Sequence, residues 1–590
     1  MPVNRFKQLP AVQGIRARYY KIGDRVASIA RPSRKVWEHS IVEQAKDVID
    51  LARWRLNWQE YDLDYCPIGE GEVFMSARQA LGLLEPEQTV LSSGFGATGR
   101  CSLFFWGLRD LYREAAYPHS LNWMSVSAQG GRGMLPGTAE ELAEPGLLSS
   151  YFCGHMESAR ALLNLAEQGD LALHSLPQGV MAQLIELQSQ GVYSLKSEVG
   201  LGCFFDPRVG SGSAIANTEQ QWVALNDELL EYSLPKIDVA LISASYADSL
   251  GNIYFTDLPA ISEHREAAAA AHANGGKVLV TVGGIVDVDE DNIAIPAAQV
   301  DAVVVNLLQE QIAGVRLDDA WPEFFPDAPL EDSSEAQAMM SRMRLINSMA
   351  AVASPRGEPD QLIARHASEL VIKHAPKNGL ANVGVGMPEE VAYQVQLDPR
   401  AKDLIFTSEA GVYGGLPGSG MFFGMAVKPL SIHSSAWMFK QYAQRLDVTV
   451  LGFLQVDSQG NVNVSHRGDS PRNFVGAGGF CDIADGAKTI VFVGSWMVRG
   501  QYRVSKGKVE MVKQGKAKFV QQVDQITFNG QRALAQGKTV YYVSNVGVFK
   551  LTEEGVELQY MMPGIELQRD VLGISEAEIV VGTVGECGYE

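Results

Sequence analysis

Asp238-Val-Ala-Leu-Ile-Ser243, Glu263-His-Arg-Glu-Ala-Ala-Ala-Ala-Ala-His-Ala273, Asn274-Gly275-Gly276 and Lys277-Val-Leu-Val-Thr-Val282 decide the fold of this chain. The first and last runs are short and continuously apolar, as strands buried on both faces are. The alanine-rich run between them is a strong helix former, and Asn-Gly-Gly is a helix stop. Strand, helix and strand at this spacing predict α/β layers built on a substantially parallel sheet.

The same grammar returns further along. Leu380-Ala-Asn-Val-Gly-Val-Gly386 reads as a strand and turn, Pro388 marks a helix start, and Asp403-Leu-Ile-Phe-Thr407 reads as the next strand. Two α/β halves are implied. Between them, residues 316–353 carry Pro322, Pro326, Pro329 and the acidic run Glu331-Asp332-Ser333-Ser334-Glu335, which predicts a surface crossing followed by a Met-rich helix. The first 72 residues differ from the rest, with frequent Arg and Lys and with Trp37, Trp54 and Trp58, and read as an added helical arm. Ser76 is the expected cap of a helix from Ala77 to Leu84. The domains are therefore drawn as 1–72, 73–335 and 336–590.

Composition narrows the class. With 590 residues, 46% hydrophobic and 20% charged, the chain can bury large cores, which excludes global disorder and rods. Its 49 basic against 69 acidic residues give a net charge of −20, a surface that repels nucleic-acid backbones and anionic lipids. No apolar run reaches the length of a membrane span, and Met1 to Lys7 lacks the apolar core of a secretory signal. The six cysteines form no CxxC pair, which suits reduced thiols in the cytoplasm. The ten histidines form no HExxH or HxxxH, so no metal site is proposed.

Three glycine-rich stretches are candidates for chemistry. Gly94-Phe-Gly-Ala-Thr-Gly99 has the G-x-G-x-x-G form of a dinucleotide-binding turn, but among 58 glycines a tight strand-to-helix turn explains it equally. Ile405-Phe-Thr-Ser-Glu409-Ala-Gly411-Val-Tyr-Gly414-Gly415-Leu-Pro-Gly-Ser-Gly420 places a glutamate at the end of a buried-type strand and a glycine loop behind it. Ligands of α/β sheets gather outside such strand ends, although a turn-capping glutamate would look the same. Val475-Gly476-Ala-Gly478-Gly479-Phe-Cys-Asp-Ile483 follows a turn at Asp457-Ser-Gln-Gly-Asn-Val-Asn-Val464, and its backbone N–H groups suit an oxyanion, or a tight bend. There is no GxSxG elbow and no GxxxxGK[ST] loop, which disfavours a serine hydrolase and a P-loop enzyme.

Taken in order, these stretches resemble the family I coenzyme A transferases, of the single-chain type acting on acetate, short-chain acyl and 3-oxoacid thioesters. Leu176-Pro-Gln178-Gly179, Val199 to Arg208, Ala247-Asp-Ser-Leu-Gly-Asn-Ile253, Asn382 to Glu389 and Met562 to Leu572 add to the match, which spans about residues 75–575. The resemblance implies two tandem related α/β domains with the active site between them, and the N-terminal helical arm is extra to it, with no counterpart in the family. It implies Glu409 as nucleophile, and Gln178 with the Gly478 or Gly479 N–H as oxyanion donors. It makes the backbone at Gly411, Gly414, Gly415 and Gly476 the candidate contact with coenzyme A.

A carboxylate is already ionised at pH 7, so such a nucleophile needs no neighbouring base. The implied chemistry moves coenzyme A between an acyl-CoA and a free carboxylate through an acyl-glutamyl anhydride and a glutamyl-CoA thioester. It needs no cofactor beyond coenzyme A as co-substrate, places the enzyme in short-chain or 3-oxoacid metabolism, and implies a homo-oligomer such as a homotetramer. Ala410 departs from the Asn, Ser or Pro found there in many relatives, which leaves acyl specificity open. The alternatives are a hydrolase on the same scaffold, a nicotinamide oxidoreductase using the Gly94 turn, and an inert scaffold whose arm binds a partner.

Overall fold

The computed structural model describes residues 37–67, 73–133, 135–326, 333–352 and 356–586. Helix α1 (Trp37–Asn57) is the described part of the expected arm, and residues 1–36 and 68–72 lie outside the described residues. The predicted cap at Ser76 is present. Its hydroxyl accepts from the Gln79 N–H and the Gln79 side chain accepts from the Ser76 N–H, but the helix is one turn, Ala77–Leu81.

The first sheet takes β1 (Thr89–Ser92), β2 (Leu121–Ser125), β3 (Leu148–Cys153), β4 (Ala172–His174), β5 (Ala214–Ala216), β6 (Val239–Ser243), β7 (Lys277–Val282) and β8 (Ala302–Val305). Their order is β8-β7-β6-β1-β2-β3-β4-β5, and only β5 runs antiparallel to its neighbour. Helix α2 (Gln178–Gln188) follows β4, and α3 (His264–Ala273) carries the chain from β6 to β7. Every residue of β6 is buried, which is why the run at 239–243 is apolar without alternation. Gly276 is required where α3 hands over to β7, since a Cβ there would sit 2.1 Å from the Asp238 carbonyl oxygen.

Helix α4 (Ser333–Met349) leads to the second sheet, built from β9 (Leu380–Val383), β10 (Ile405–Thr407), β11 (Val412–Tyr413), β12 (Ser431–Ile432), β13 (Val448–Gly452), β14 (Thr489–Val493), β15 (Thr539–Val543), β16 (Gly547–Thr552), β17 (Gly555–Met561) and β18 (Val580–Glu586). The order is β12-β11-β10-β9-β13-β14-β15-β16-β17-β18. Helices α5 (Met387–Gln396), α6 (Ser435–Arg445) and α7 (Phe480–Gly486) follow β9, β12 and the Gly476 cluster.

The two halves are related. Parallel strands β8-β7-β6-β1-β2 and β15-β14-β13-β9-β10 have the same order along the chain and across the sheet. The turn after each central strand is also the same. Asp248 accepts from the N–H groups of Leu250 and Asn252 and from the Asn252 side chain. Asp457 accepts from the N–H groups of Gln459 and Asn461 and from the Asn461 side chain.

The crossing between the halves is less superficial than its prolines and charges predict. Met339, Met340 and Met343 of α4 are buried in a cluster with Leu51 of α1, Trp321, Phe324 and the Met421-Phe422 pair beyond the Glu409 loop. Arm, crossing and the Glu409 loop thus share one core. The Arg342 guanidinium lies 3.6 Å from the Trp321 ring centroid and pairs with Asp47 at 2.7 Å, with Asp47 3% exposed. An Asp47→Ala change removes the nearer of the two carboxylates on that guanidinium and leaves Glu323 at 4.0 Å, so the loss is expected to fall below the about 3–5 kcal/mol typical of a buried charge left wholly unpaired. A lower midpoint in a thermal unfolding scan, with the Asp47→Asn variant lying between it and wild type, is the expected result.

Candidate active site

Glu409 stands just past the C-terminal end of β10, with a tight turn behind it. The Ser408 N–H donates to the Val412 carbonyl at 2.9 Å and the Gly411 N–H to the Ser408 carbonyl at 3.0 Å. The Ser408 hydroxyl donates to the Gly424 carbonyl at 2.5 Å and accepts the Ala410 N–H at 3.2 Å, so the loop folds back and closes on itself. The Glu409 side chain is 7% exposed. Its Oε2 accepts from the Asn382 amide of the neighbouring strand β9 at 3.2 Å, and the same amide nitrogen lies 3.1 Å from the Tyr442 hydroxyl of α6. Thr449 of β13 donates to the Asn382 side-chain oxygen at 3.4 Å. Burial pushes the Glu409 carboxyl above the ordinary glutamate range, and the Asn382 contact opposes that by favouring the ionised form.

A second patch forms where the halves meet around Gln178. The Gln178 N–H donates to the Gly478 carbonyl at 3.0 Å and the Gly478 N–H to the Gly154 carbonyl at 2.7 Å, which stitches the Gly476 cluster to the end of β3 and the start of α2. Asp482 of α7 accepts from the N–H groups of Gly179 and Val180 at 3.1 Å each, capping α2 from the opposite half of the chain. Burial pushes that carboxyl up to about 8. The Gln178 side chain is 3% exposed, and its amide forms no hydrogen bond among the described residues.

Helix α6 joins the two patches. Its Tyr442 faces Asn382, while Phe439 one turn earlier fills the space over Gly179 and Gly479, where a Cβ would lie 2.5 and 3.0 Å from the ring. The two rings meet edge to face with centroids 5.7 Å apart.

Several expectations change here. The Gly478 N–H already has its acceptor in Gly154, so of the two candidate donors only the Gly479 N–H is left without a partner among the described residues. At the glycines expected to face coenzyme A the chain itself leaves no room for a side chain. A Cβ at Gly411, Gly414, Gly415 or Gly476 would fall 1.9 Å from the His433 carbonyl, 2.5 Å from Leu430, 2.5 Å from the Val427 carbonyl or 2.4 Å from the Gly154 carbonyl. The N–H groups of Gly411, Gly414 and Gly476 already donate to Ser408, Phe406 and Ser465. These residues are glycines because the loop packs on itself.

The Gly94 turn is no phosphate cradle either. Its Phe95 and Thr98 pair with each other, and the Gly94 N–H donates to the Glu263 carboxyl at 3.3 Å. Instead the turn supports the catalytic loop, with Phe95 against Gly424 and 5.7 Å from the Phe423 ring. Met421 and Phe422 are core residues. Asn382, Tyr442 and Asp482 were given no role from sequence. An asparagine inside the apolar run Leu-Ala-Asn-Val was the one available signal, since a buried polar group needs a partner. Among the described residues no cluster of His, Cys, Asp and Glu is arranged to hold a metal ion, and no helix is long and apolar enough to cross a membrane.

The chain matches no protein-family model. Its relatives are nonetheless clear, and it belongs to the coenzyme A transferase family: it is an acyl-CoA:carboxylate CoA-transferase. It is 30% identical over 514 residues to acetate CoA-transferase YdiF of Escherichia coli O157:H7, covering 84% of this chain and 91% of that one. It is 31% identical over 519 residues to caffeate CoA-transferase of Acetobacterium woodii, covering 85% and 93%. The solved structure of the YdiF thioester complex with coenzyme A superposes with a TM-score of 0.77 at 27% identity, covering 89% of this chain and 97% of that one.

Two measurements test the site. Were Glu409 the attacking group it would have to be ionised, and burial raises its pKa, so the acid limb of kcat/KM is expected to lie above the ordinary glutamate value. Removing the Asn382 donor in Asn382→Ala moves that limb to higher pH still. Asp482→Ala frees the first turn of α2 and displaces Gln178, and displacements of about 1 Å lower rates by up to about 100-fold. Asp482→Asn keeps one acceptor, and steady-state kinetics should place it between wild type and alanine.

Proposed function

We propose that the enzyme transfers coenzyme A by a ping-pong route through Glu409, and the observation that carries this is a buried carboxylate held by Asn382 at a strand end beside the junction of the halves. A Glu409 oxygen attacks the thioester carbonyl carbon, the C–S bond breaks, and an acyl-glutamyl anhydride and CoA thiolate result. The thiolate then attacks the glutamyl carbonyl carbon, which releases the donor's carboxylate and leaves a glutamyl-CoA thioester. The acceptor carboxylate attacks that thioester, the thiolate leaves, and its return to the new acyl carbon gives the product acyl-CoA and free Glu409.

Each attack places negative charge on a carbonyl oxygen. The unpaired Gln178 amide and Gly479 N–H are the donors for it, each typically worth about 2.7–4 kcal/mol in the barrier. Coenzyme A is a co-substrate in this route, and no other cofactor takes part. Ala410 lies in an apolar cluster with Phe95, Ala260, Val412, Ala426 and Phe423, which favours an apolar acyl group over one with a second charge. Acetate and caffeate, named for the relatives, are the first acyl groups to try. The same reading takes 73–335 and 336–590 as the two functional domains, and the family resemblance supports a cytoplasmic homo-oligomer.

Intact-mass spectrometry after mixing with acyl-CoA tests the route. Wild type should gain coenzyme A less one water, on the Glu409 peptide, and lose it when a carboxylate is added. Glu409→Gln should gain nothing. An adduct on the variant, or release of free thiol in place of transfer, would contradict it.

A further inference from the structure

Glu263 is 1% exposed and has no part in the route above. It precedes α3 in the first half of the chain, yet its carboxyl reaches both halves. Oε1 accepts from the Gly94 N–H at 3.3 Å and the Ser93 hydroxyl at 3.4 Å, and Oε2 accepts from the Ser435 hydroxyl of α6 at 3.2 Å. Burial pushes this carboxyl up to about 8. Beside it, the His264 Nδ1 lies 2.5 Å from the Ser93 hydroxyl, with that ring pushed down to about 3 by burial and so neutral.

The neighbouring residue, Ser262, makes the other half of the bracket. It holds φ +45°, a conformation that non-glycine residues seldom adopt. In it the Ser262 N–H donates to the Ala410 carbonyl at 3.3 Å, and the Ser262 carbonyl accepts the Ser435 N–H at 2.8 Å. Ala410 is bonded to the nucleophile itself. Ser435 opens the helix whose Tyr442, about two turns on, contacts Asn382. Gly94 opens the turn whose Phe95 packs on Gly424 and Phe423. Such strain persists only where surrounding contacts over-determine it, and it gathers at functional sites.

We propose that Glu263 is a positioning residue for transfer: it ties the Gly94 turn to the first turn of α6, and through Ser262 it fixes the carbonyl of Ala410, the residue after Glu409. The nucleophile's loop belongs to the second half, and its alignment is set from the first. The carboxyl touches no reacting atom. Its effect is on the rate of the attack, with the affinity for coenzyme A left to other contacts.

This rests on Glu409 being the nucleophile, and single-turnover loading separates the two claims. Rapid mixing of excess acyl-CoA with enzyme, followed by mass quantification of the Glu409 adduct, gives a rate constant independent of the active fraction and an amplitude that reports that fraction. Glu263→Ala is expected to load at least about tenfold more slowly at saturation, with amplitude and half-saturating acyl-CoA within about twofold of wild type. Glu263→Gln keeps an acceptor for Gly94 and a donor for the Ser435 hydroxyl, and should load within about threefold of wild type. Ser435→Ala removes one contact without a change in core volume, and should be slowed by an intermediate factor, which keeps the test open should the alanine variant fail to fold.

Equal loading rates in wild type, Glu263→Ala and Ser435→Ala would overturn the positioning role and leave Glu409 untouched. A fall in amplitude alone would also overturn it, as a matter of folding. No adduct on wild type would overturn both.

Discussion

A carboxylate removed from water and kept able to react is the constraint on which this site depends. Burial disfavours the charge, and an isolated buried carboxylate would take up a proton. Few contacts oppose that at Glu409: a backbone N–H and one amide donor from Asn382 on the adjacent strand, itself fixed by Tyr442 and Thr449. A more heavily bonded carboxylate would be lower in pKa and a weaker nucleophile. The arrangement requires β9, β10, β13 and α6 to hold four polar side chains in register.

That requirement explains why the two halves are bound so closely around α6. The helix presents Tyr442 to Asn382 beside Glu409 and Phe439 to the Gln178 patch, so one rigid element sets the spacing between the proposed nucleophile and the proposed oxyanion donors. Its partners on the other side are not interchangeable side chains but backbone. Gly179 and Gly479 leave no room for a Cβ under Phe439, and Gly154, Gly478 and Gln178 are joined through main-chain hydrogen bonds. Main-chain contacts of this kind change little with side-chain identity, which suits an enzyme that must alter its acyl group while keeping its chemistry.

The parallel strands were legible because burial on both faces leaves an apolar run that no other element of that length shares, as at Asp238–Ser243 and Lys277–Val282. Glu409 stands out at the end of such a run, but its proposed role comes from the family resemblance, since a turn-capping glutamate would look the same. What the sequence hid were contacts between distant residues. Asp482 caps α2 from 303 residues away, and nothing local marks it as a cap. The glycines at 411, 414, 415 and 476 are ambiguous for a different reason: a glycine needed by the chain's own packing and one needed by a ligand are the same letter. The crossing before α4 reads as surface from its prolines and acids, while Trp321 and Phe324 pack inward with the methionines of α4.

The relation between the halves adds a last step. Both keep the same five-strand order and the same Asp-Ser-x-Gly-Asn turn with the same hydrogen bonds, so their shared ancestry is carried by the scaffold. Their strand ends differ. After β10 the chain runs Ser408-Glu409, whereas after β2, the matching strand of the first sheet, it runs Val126-Ser127 with no acid. In the proposed route the second half therefore supplies the nucleophile. The first supplies the unpaired amide of Gln178 and the Ser262-Glu263 segment that grips the residue after Glu409. On that proposal two copies of one fold divide the chemistry, neither half has an active site alone, and the face where they meet is kept by function as well as by stability.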